Sequence, residues 1–173
     1  APTRSARTRA ALEFLVFLPF LLPPILTGLS LLILAREVGL PRGFVTISIG
    51  HTVFVLAIVY RIVLTRIQSI GRSTLEASRD LGATRWQTFR YVLFPQLGSA
   101  MAVAAMLAFA LSFDETMITL FVVGGESTLP LRLYAMMRVG FTPEINALVT
   151  LVLLFSVLLA FTAARLLRGR GHR

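Results

Sequence analysis

Four long stretches of this chain carry almost no charge, and nothing else in the sequence constrains its fold as strongly. They cover residues 12–35, 44–64, 97–123 and 144–165. An apolar run of roughly 18 residues or more is long enough to cross a bilayer as a helix. The composition agrees, with 56% hydrophobic residues, 14% charged residues and a mean hydropathy of +0.81. A soluble domain averages roughly 45–50% apolar and about 25% charged residues, so the charge needed for a water-facing surface is missing. The sequence predicts an all-α fold, a polytopic membrane helix bundle with four spans in one transmembrane domain over 1–173.

All 17 basic residues are arginine, and the net charge is +9. Such a balance can signal a nucleic-acid binder, but cytoplasmic loops of membrane proteins carry the same excess; no nucleic-acid partner is expected. There is no cysteine, which excludes disulfides and thiolate metal sites. Arg4, Arg7 and Arg9 precede the first apolar run. That run is too long for a secretory signal, whose apolar part covers about 7–15 residues, so it is expected to anchor. The sequence starts Ala-Pro without Met, which points to a processed chain or a fragment.

Arginine placement sets orientation. Six arginines fall in 61–95 against Glu76 and Asp80, and four lie at the C-terminal end with no acid. Both termini and 61–95 are therefore expected on the cytoplasmic side. Pro19 and the Pro23-Pro24 pair predict a kink or break in the first span, since proline lacks a backbone donor and clashes with the preceding turn. The fourth span has a start signal: Thr142 to cap, Pro143 at the first helical position and Glu144 at the positive end of the helix dipole.

Segment 61–95 is too long for a simple connector. Ile67, Ile70, Thr74, Leu75 and Ser78 follow helical spacing, with Arg72, Glu76 and Arg79 on other faces. Gly82 then stops the pattern. Trp86, Phe89 and Leu93 resume it, and Pro95 leads into the third span. This predicts a helix–turn–helix at the membrane surface. On pattern alone, Glu76 with Arg72 and Arg79 is equally well a surface ion-pair set, each pair contributing roughly 0.2–0.5 kcal/mol.

Glu76-Ala77-Ser78, three residues, Gly82, nine residues and then Val92-Leu93-Phe94-Pro95 resembles the EAA motif of ABC importer permeases, E-A-A-x3-G-x9-I-x-L-P. The spacing matches throughout, with Ser78, Val92 and Phe94 as substitutions. Leu81-Gly82-Ala83, Ser112-Phe113-Asp114-Glu115, Leu129-Pro130-Leu131 with Tyr134, and Pro143-Glu144-Ile145-Asn146-Ala147 extend the resemblance to spermidine/putrescine permeases. The resemblance implies a type I ABC importer permease fold in a bacterial inner membrane, with 66–95 as cytoplasmic coupling helices. It implies polyamine import with three protein partners: a separate ABC ATPase, a second permease subunit and an external solute-binding protein. It implies ATPase coupling through Glu76, Ala77, Gly82 and Pro95, with Trp86 and Phe89 as apolar anchors. Family members usually have about six spans, so an N-terminal pair is expected to be lacking.

Asp114 and Glu115 interrupt an apolar stretch. Two acids at mid-bilayer cost about 5–7 kcal/mol. The eleven Leu, Ile, Phe and Val residues of 97–123 return roughly 3–7 kcal/mol. The acids are therefore expected to face a protein interior or a wet cavity. One role is pairing with the ammonium groups of a cationic substrate; the others are pairing an arginine, capping a broken helix, or holding a proton. His51 stands without a second histidine or acid at metal spacing and is expected to pack or cap. Leu131, Leu133 and Tyr134 predict a short outer helix near Met136 and Met137. No Walker A, G-x-S-x-G or H-E-x-x-H pattern occurs, so no catalytic residues and no cofactor are expected, and ATP hydrolysis falls to a partner. The alternatives are an ABC permease for another small solute, a non-transport membrane scaffold whose surface segment binds lipid, and an intramembrane enzyme using Asp114.

Overall fold

The charge-poor runs form helices, with breaks where proline or an acid interrupts them. The computed structural model describes residues 4–140 and 143–170. The elements are α1 (Arg4–Leu21), α2 (Pro24–Glu37), α3 (Phe44–Ser69), α4 (Arg72–Asp80), α5 (Arg85–Gln87), a π-helical stretch Thr88–Leu93, α6 (Phe94–Asp114), α7 (Met117–Val122), α8 (Leu129–Val139) and α9 (Pro143–Arg170). No strand occurs among the described residues. Among the described residues, two helices are long and apolar enough to cross a membrane: Phe44–Ser69, and the continuous rod Arg85–Asp114 formed by α5, the π stretch and α6. A third span is possible by length and composition if α1 and α2, bent by 106°, count as one. The apolar part of α9 within the described residues covers Pro143–Leu158.

The bend falls at the proline pair. Pro23 and Pro24 have no N–H, so the carbonyls four residues earlier lose their helical donors. The Thr27 hydroxyl donates to the Pro19 carbonyl at 3.4 Å, replacing one of them. Pro24 starts α2, where its missing N–H costs nothing. Pro143 likewise opens α9, while the Thr142 cap lies outside the described residues.

The chain divides into two compact units. The first comprises Ala1–Ala57 and Phe109–Val157. Its core gathers Ile47, Ile118 and Val122, with Leu31, Leu32, Phe54 and Phe121 packed around them. Helix α7 lies along α2 at a separation that glycine makes possible. A Cβ on Gly28 would sit 2.9 Å from Phe121 Cδ2 and 3.0 Å from Ile118 Cα. The Gly43 N–H donates to the Val122 carbonyl at 3.0 Å, tying the end of α7 to the start of α3. Segment 97–123, expected as one span, is thus two helices, because α6 stops at Asp114 and α7 starts afresh.

The second unit comprises Ile58–Ala108 and Leu158–Arg173. Here α3 continues to Ser69, so Ile67 belongs to α3 and not to the surface pair; the chain turns at Gly71 before α4 begins. Arg66 Nε donates to the Gln96 carbonyl at 3.0 Å, fastening the end of α3 to the start of α6. Pro95 does not mark a boundary, since the rod runs through it. The preceding turns widen to the π form, with the Phe94 N–H bonded to the Phe89 carbonyl five residues back. The Gln96 side-chain amide donates to the Val92 carbonyl at 3.0 Å.

Candidate functional site

Two places gather the residues singled out from the sequence. The first is the pair formed by α4 and α5 with its π extension. Helix α4 ends in a Schellman motif: the Ala83 N–H bonds the Ser78 carbonyl at 3.1 Å, and the Gly82 N–H bonds the Arg79 carbonyl at 2.8 Å. The motif needs a left-handed residue, and Gly82 has φ +78°. Thr84 then opens α5 with a capping box. Its hydroxyl accepts the Gln87 N–H at 3.2 Å, and the Gln87 side chain accepts the Thr84 N–H at 2.8 Å. The T-R-W-Q tetrapeptide, a capping residue followed three positions later by glutamine, is the sequence signal for that box. The Ser78 and Thr88 hydroxyls, both buried, bond each other at 2.9 Å and brace α4 against the π stretch.

Glu76 and Ala77 are exposed on α4, Gly82 is exposed in the turn, and Pro95 is exposed at the foot of α6. Glu76 has no ion-pair partner among the described residues. Trp86 is 68% exposed, and its ring lies 5.6 Å from that of the exposed Phe89. Phe89 in turn lies 6.2 Å from Phe94, over which the Arg90 guanidinium sits at 5.7 Å. Leu81, at the turn, is 88% exposed. The structure thus joins Trp86 and Phe89 into one aromatic platform and sets Glu76 and Ala77 on the other arm.

The second place is the break between α6 and α7, and it treats the two acids differently. Glu115 is 8% exposed, and its Oε1 accepts the N–H groups of Met117 at 2.8 Å and Ile118 at 2.9 Å. It therefore caps α7 and satisfies donors that a helix start leaves unpaired. Asp114 is exposed at the last position of α6. An acid there opposes the helix dipole, whose C-terminal end is negative. A carboxylate beside the negative end of a helix makes a place suited to a cation.

His51 joins this break, which its sequence context did not reveal. Nδ1 is 2.8 Å from Ser112 Oγ, and Nε2 is 2.8 Å from Thr119 Oγ1. Thr119 uses its single proton to bond the Glu115 carbonyl at 2.9 Å. It must therefore accept from His51 Nε2–H, and in the neutral ring Nδ1 accepts from Ser112. The polar run Ser112, Asp114, Glu115, Thr116 and Thr119 inside an apolar segment was the only available sign. The short helix expected around Leu131 and Tyr134 is α8, whose first turn is capped by the Thr128 hydroxyl. Among the described residues, no group of three or more His, Asp or Glu is placed to hold a metal.

The sequence matches the family described as binding-protein-dependent transport system inner membrane component over residues 3–170. The putrescine transport system permease protein PotI of Escherichia coli strain K12 is 40% identical over 147 residues, covering 81% of this chain and 52% of that protein. The spermidine/putrescine transport system permease protein PotC of the same strain is 32% identical over 157 residues, covering 90% and 60%. PotC of Haemophilus influenzae is 30% identical over 167 residues, covering 96% and 65%. The chain spans between about half and two thirds of the length of these relatives. A solved structure of the MetNI methionine ABC transporter in an inward-facing conformation superposes with a TM-score of 0.76 at 25% identity, covering 96% of this chain and 76% of that one. The chain belongs to the family of binding-protein-dependent transport system inner membrane components.

Proposed function

We propose that this chain forms the main part of a permease subunit of an ATP-driven importer that carries polyamines inward. The relatives named as putrescine and spermidine/putrescine permeases support the substrate class. The fold alone does not select it, because a methionine transporter shares the fold. The observation that carries the reading is Asp114, an exposed acid at the negative end of an apolar helix. An ammonium group is the natural partner for that pairing of carboxylate and helix end. Glu115, committed to capping α7, supports the pathway by holding the break open.

In this reading a separate ATPase docks on the α4–α5 pair through Glu76, Ala77, Trp86 and Phe89. Gly82 sets the turn, and Pro95 with the π stretch connects the pair to α6. A second permease subunit completes the pore, and an external binding protein delivers the solute. Both ends of the chain and 61–95 face the cytoplasm, following the arginine distribution.

Uptake of labelled putrescine and spermidine by the full-length protein with its partners tests this. Asp114→Asn should lower uptake roughly tenfold or more, the size expected for losing a hydrogen bond to a charged group, with assembly of the complex unchanged. Undiminished uptake would return Asp114 to a structural role. Absence of polyamine uptake in the wild type would remove the substrate class and leave family membership untouched.

A further inference from the structure

Asp114 is exposed, and among the described residues nothing bonds its carboxylate. Its place is therefore set by the chain on either side of it. After it stands Glu115, whose Oε1 accepts two N–H groups of α7 and whose carbonyl accepts the Thr119 hydroxyl at 2.9 Å. Two residues before it stands Ser112, whose hydroxyl lies 2.8 Å from His51 Nδ1. The same ring reaches Thr119 through Nε2, also at 2.8 Å. One side chain of α3 thus grips the last turn of α6 and the first turn of α7, on both sides of the break.

The grip depends on close approach and on direction. Gly50 precedes His51, and a Cβ there would stand 2.7 Å from Ile118 Cγ2, so α7 comes near enough to α3 for the ring to meet Thr119. Thr119 is fully buried and Glu115 nearly so, which keeps water from the α7 end of these bonds. With the ring neutral, the donors run one way: Ser112 O–H to Nδ1, Nε2–H to Thr119, and Thr119 O–H to the Glu115 carbonyl. Each proton is used once, and in a low-dielectric interior the bonds of such a chain strengthen one another. We propose that His51 is a positioning residue for the cation site. It acts as a clasp that holds the end of α6 against α7, and so sets where the Asp114 carboxylate meets an ammonium group of the solute. The inference rests on the reading of Asp114 as that site. His51 touches no solute in this scheme; it acts through Ser112 and the turn that carries Asp114.

A double-mutant cycle on uptake of labelled putrescine by the full-length protein with its partners tests the clasp. His51→Leu should lower uptake about tenfold, the size expected when two hydrogen bonds are lost. In an Asp114→Asn background the same change should cost less than about twofold, because no carboxylate is left to place. A histidine that only packs would lower uptake by the same factor in both backgrounds, and that result overturns the proposal. His51→Gln should recover most of the uptake, since a side-chain amide also offers an acceptor and a donor. Uptake as poor in His51→Gln as in His51→Leu overturns the hydrogen-bonded role. Co-purification of the ATPase reports assembly of each variant. If His51→Leu does not assemble, Ser112→Ala removes one of the two bonds and enters the same cycle, where equal factors in both backgrounds again overturn the clasp. The two readings fail separately. Undiminished uptake in Asp114→Asn alone removes the cation site and with it this role for His51, whereas loss there with additive losses in the double variant removes the clasp alone.

Discussion

At the residue scale, Gly28, Gly50 and the acid that caps α7 decide how the first unit closes. Gly28 and Gly50 both admit α7, but their neighbours differ. A Cβ on Gly28 meets the backbone of Ile118 at 3.0 Å, whereas one on Gly50 meets side chains, Ile118 Cγ2 at 2.7 Å and Leu31 Cδ2 at 2.8 Å. The Leu31 end can turn aside, but the Ile118 methyl is fixed at Cβ in the buried core and backbone cannot move at all without shifting its helix. Overpacking costs about 1–3 kcal/mol, so both Gly28→Ala and Gly50→Ala should destabilise, Gly28→Ala the more. Denaturant unfolding in detergent would rank them; the reverse order would mean that α2 can slide away from α7. Of the acid pair, the energetics of burial were legible in the sequence, and capping a broken helix was among the roles it allowed. Which acid would cap was not, because the position of the break depends on how α7 packs against α2. His51 was illegible for a similar reason: its partners lie 61 and 68 residues away in the chain.

At the scale of the elements, the α4–α5 pair is where sequence patterns served best. Gly82 as a stop and the run Trp86, Phe89, Leu93 depend on short-range geometry, which spacing records. The limits of the pair were less clear, because Ile67 and Ile70 continue the apolar spacing across Gly71 and hide the turn between α3 and α4. The Ser78–Thr88 bond was hidden too, since Ser78 stands where the motif has alanine and gives no hint of a partner. That bond carries a sharp expectation. Removing one hydroxyl leaves the other buried and unpaired, at about 1–3 kcal/mol, while removing both is close to neutral. Ser78→Ala and Thr88→Val should each destabilise the protein, and the double variant should recover most of the loss in a double-mutant cycle. Additive losses would show that water already satisfies the pair.

For the whole molecule, the proposal of an ATPase partner makes its own prediction. Gly82→Asp puts a side chain at φ +78° and a negative charge in the turn. It should abolish co-purification of the ATPase while the apolar helices still insert. A complex that survives the change would mean that the α4–α5 pair does not dock the ATPase through this turn. Membrane character and family were legible because apolar length and motif spacing are linear properties of a chain. The two-part character of 97–123 and the 106° bend between α1 and α2 are properties of packing around breaks, for which prolines and acids give only the approximate place. The π stretch adds one more consequence. A π turn amounts to one surplus residue in an α-helix, and each residue of a helix advances the chain by about 100° around its axis. The compass direction in which Trp86 and Phe89 look out from the rod Arg85–Asp114 is therefore written by a single inserted residue, ahead of any contact the platform makes.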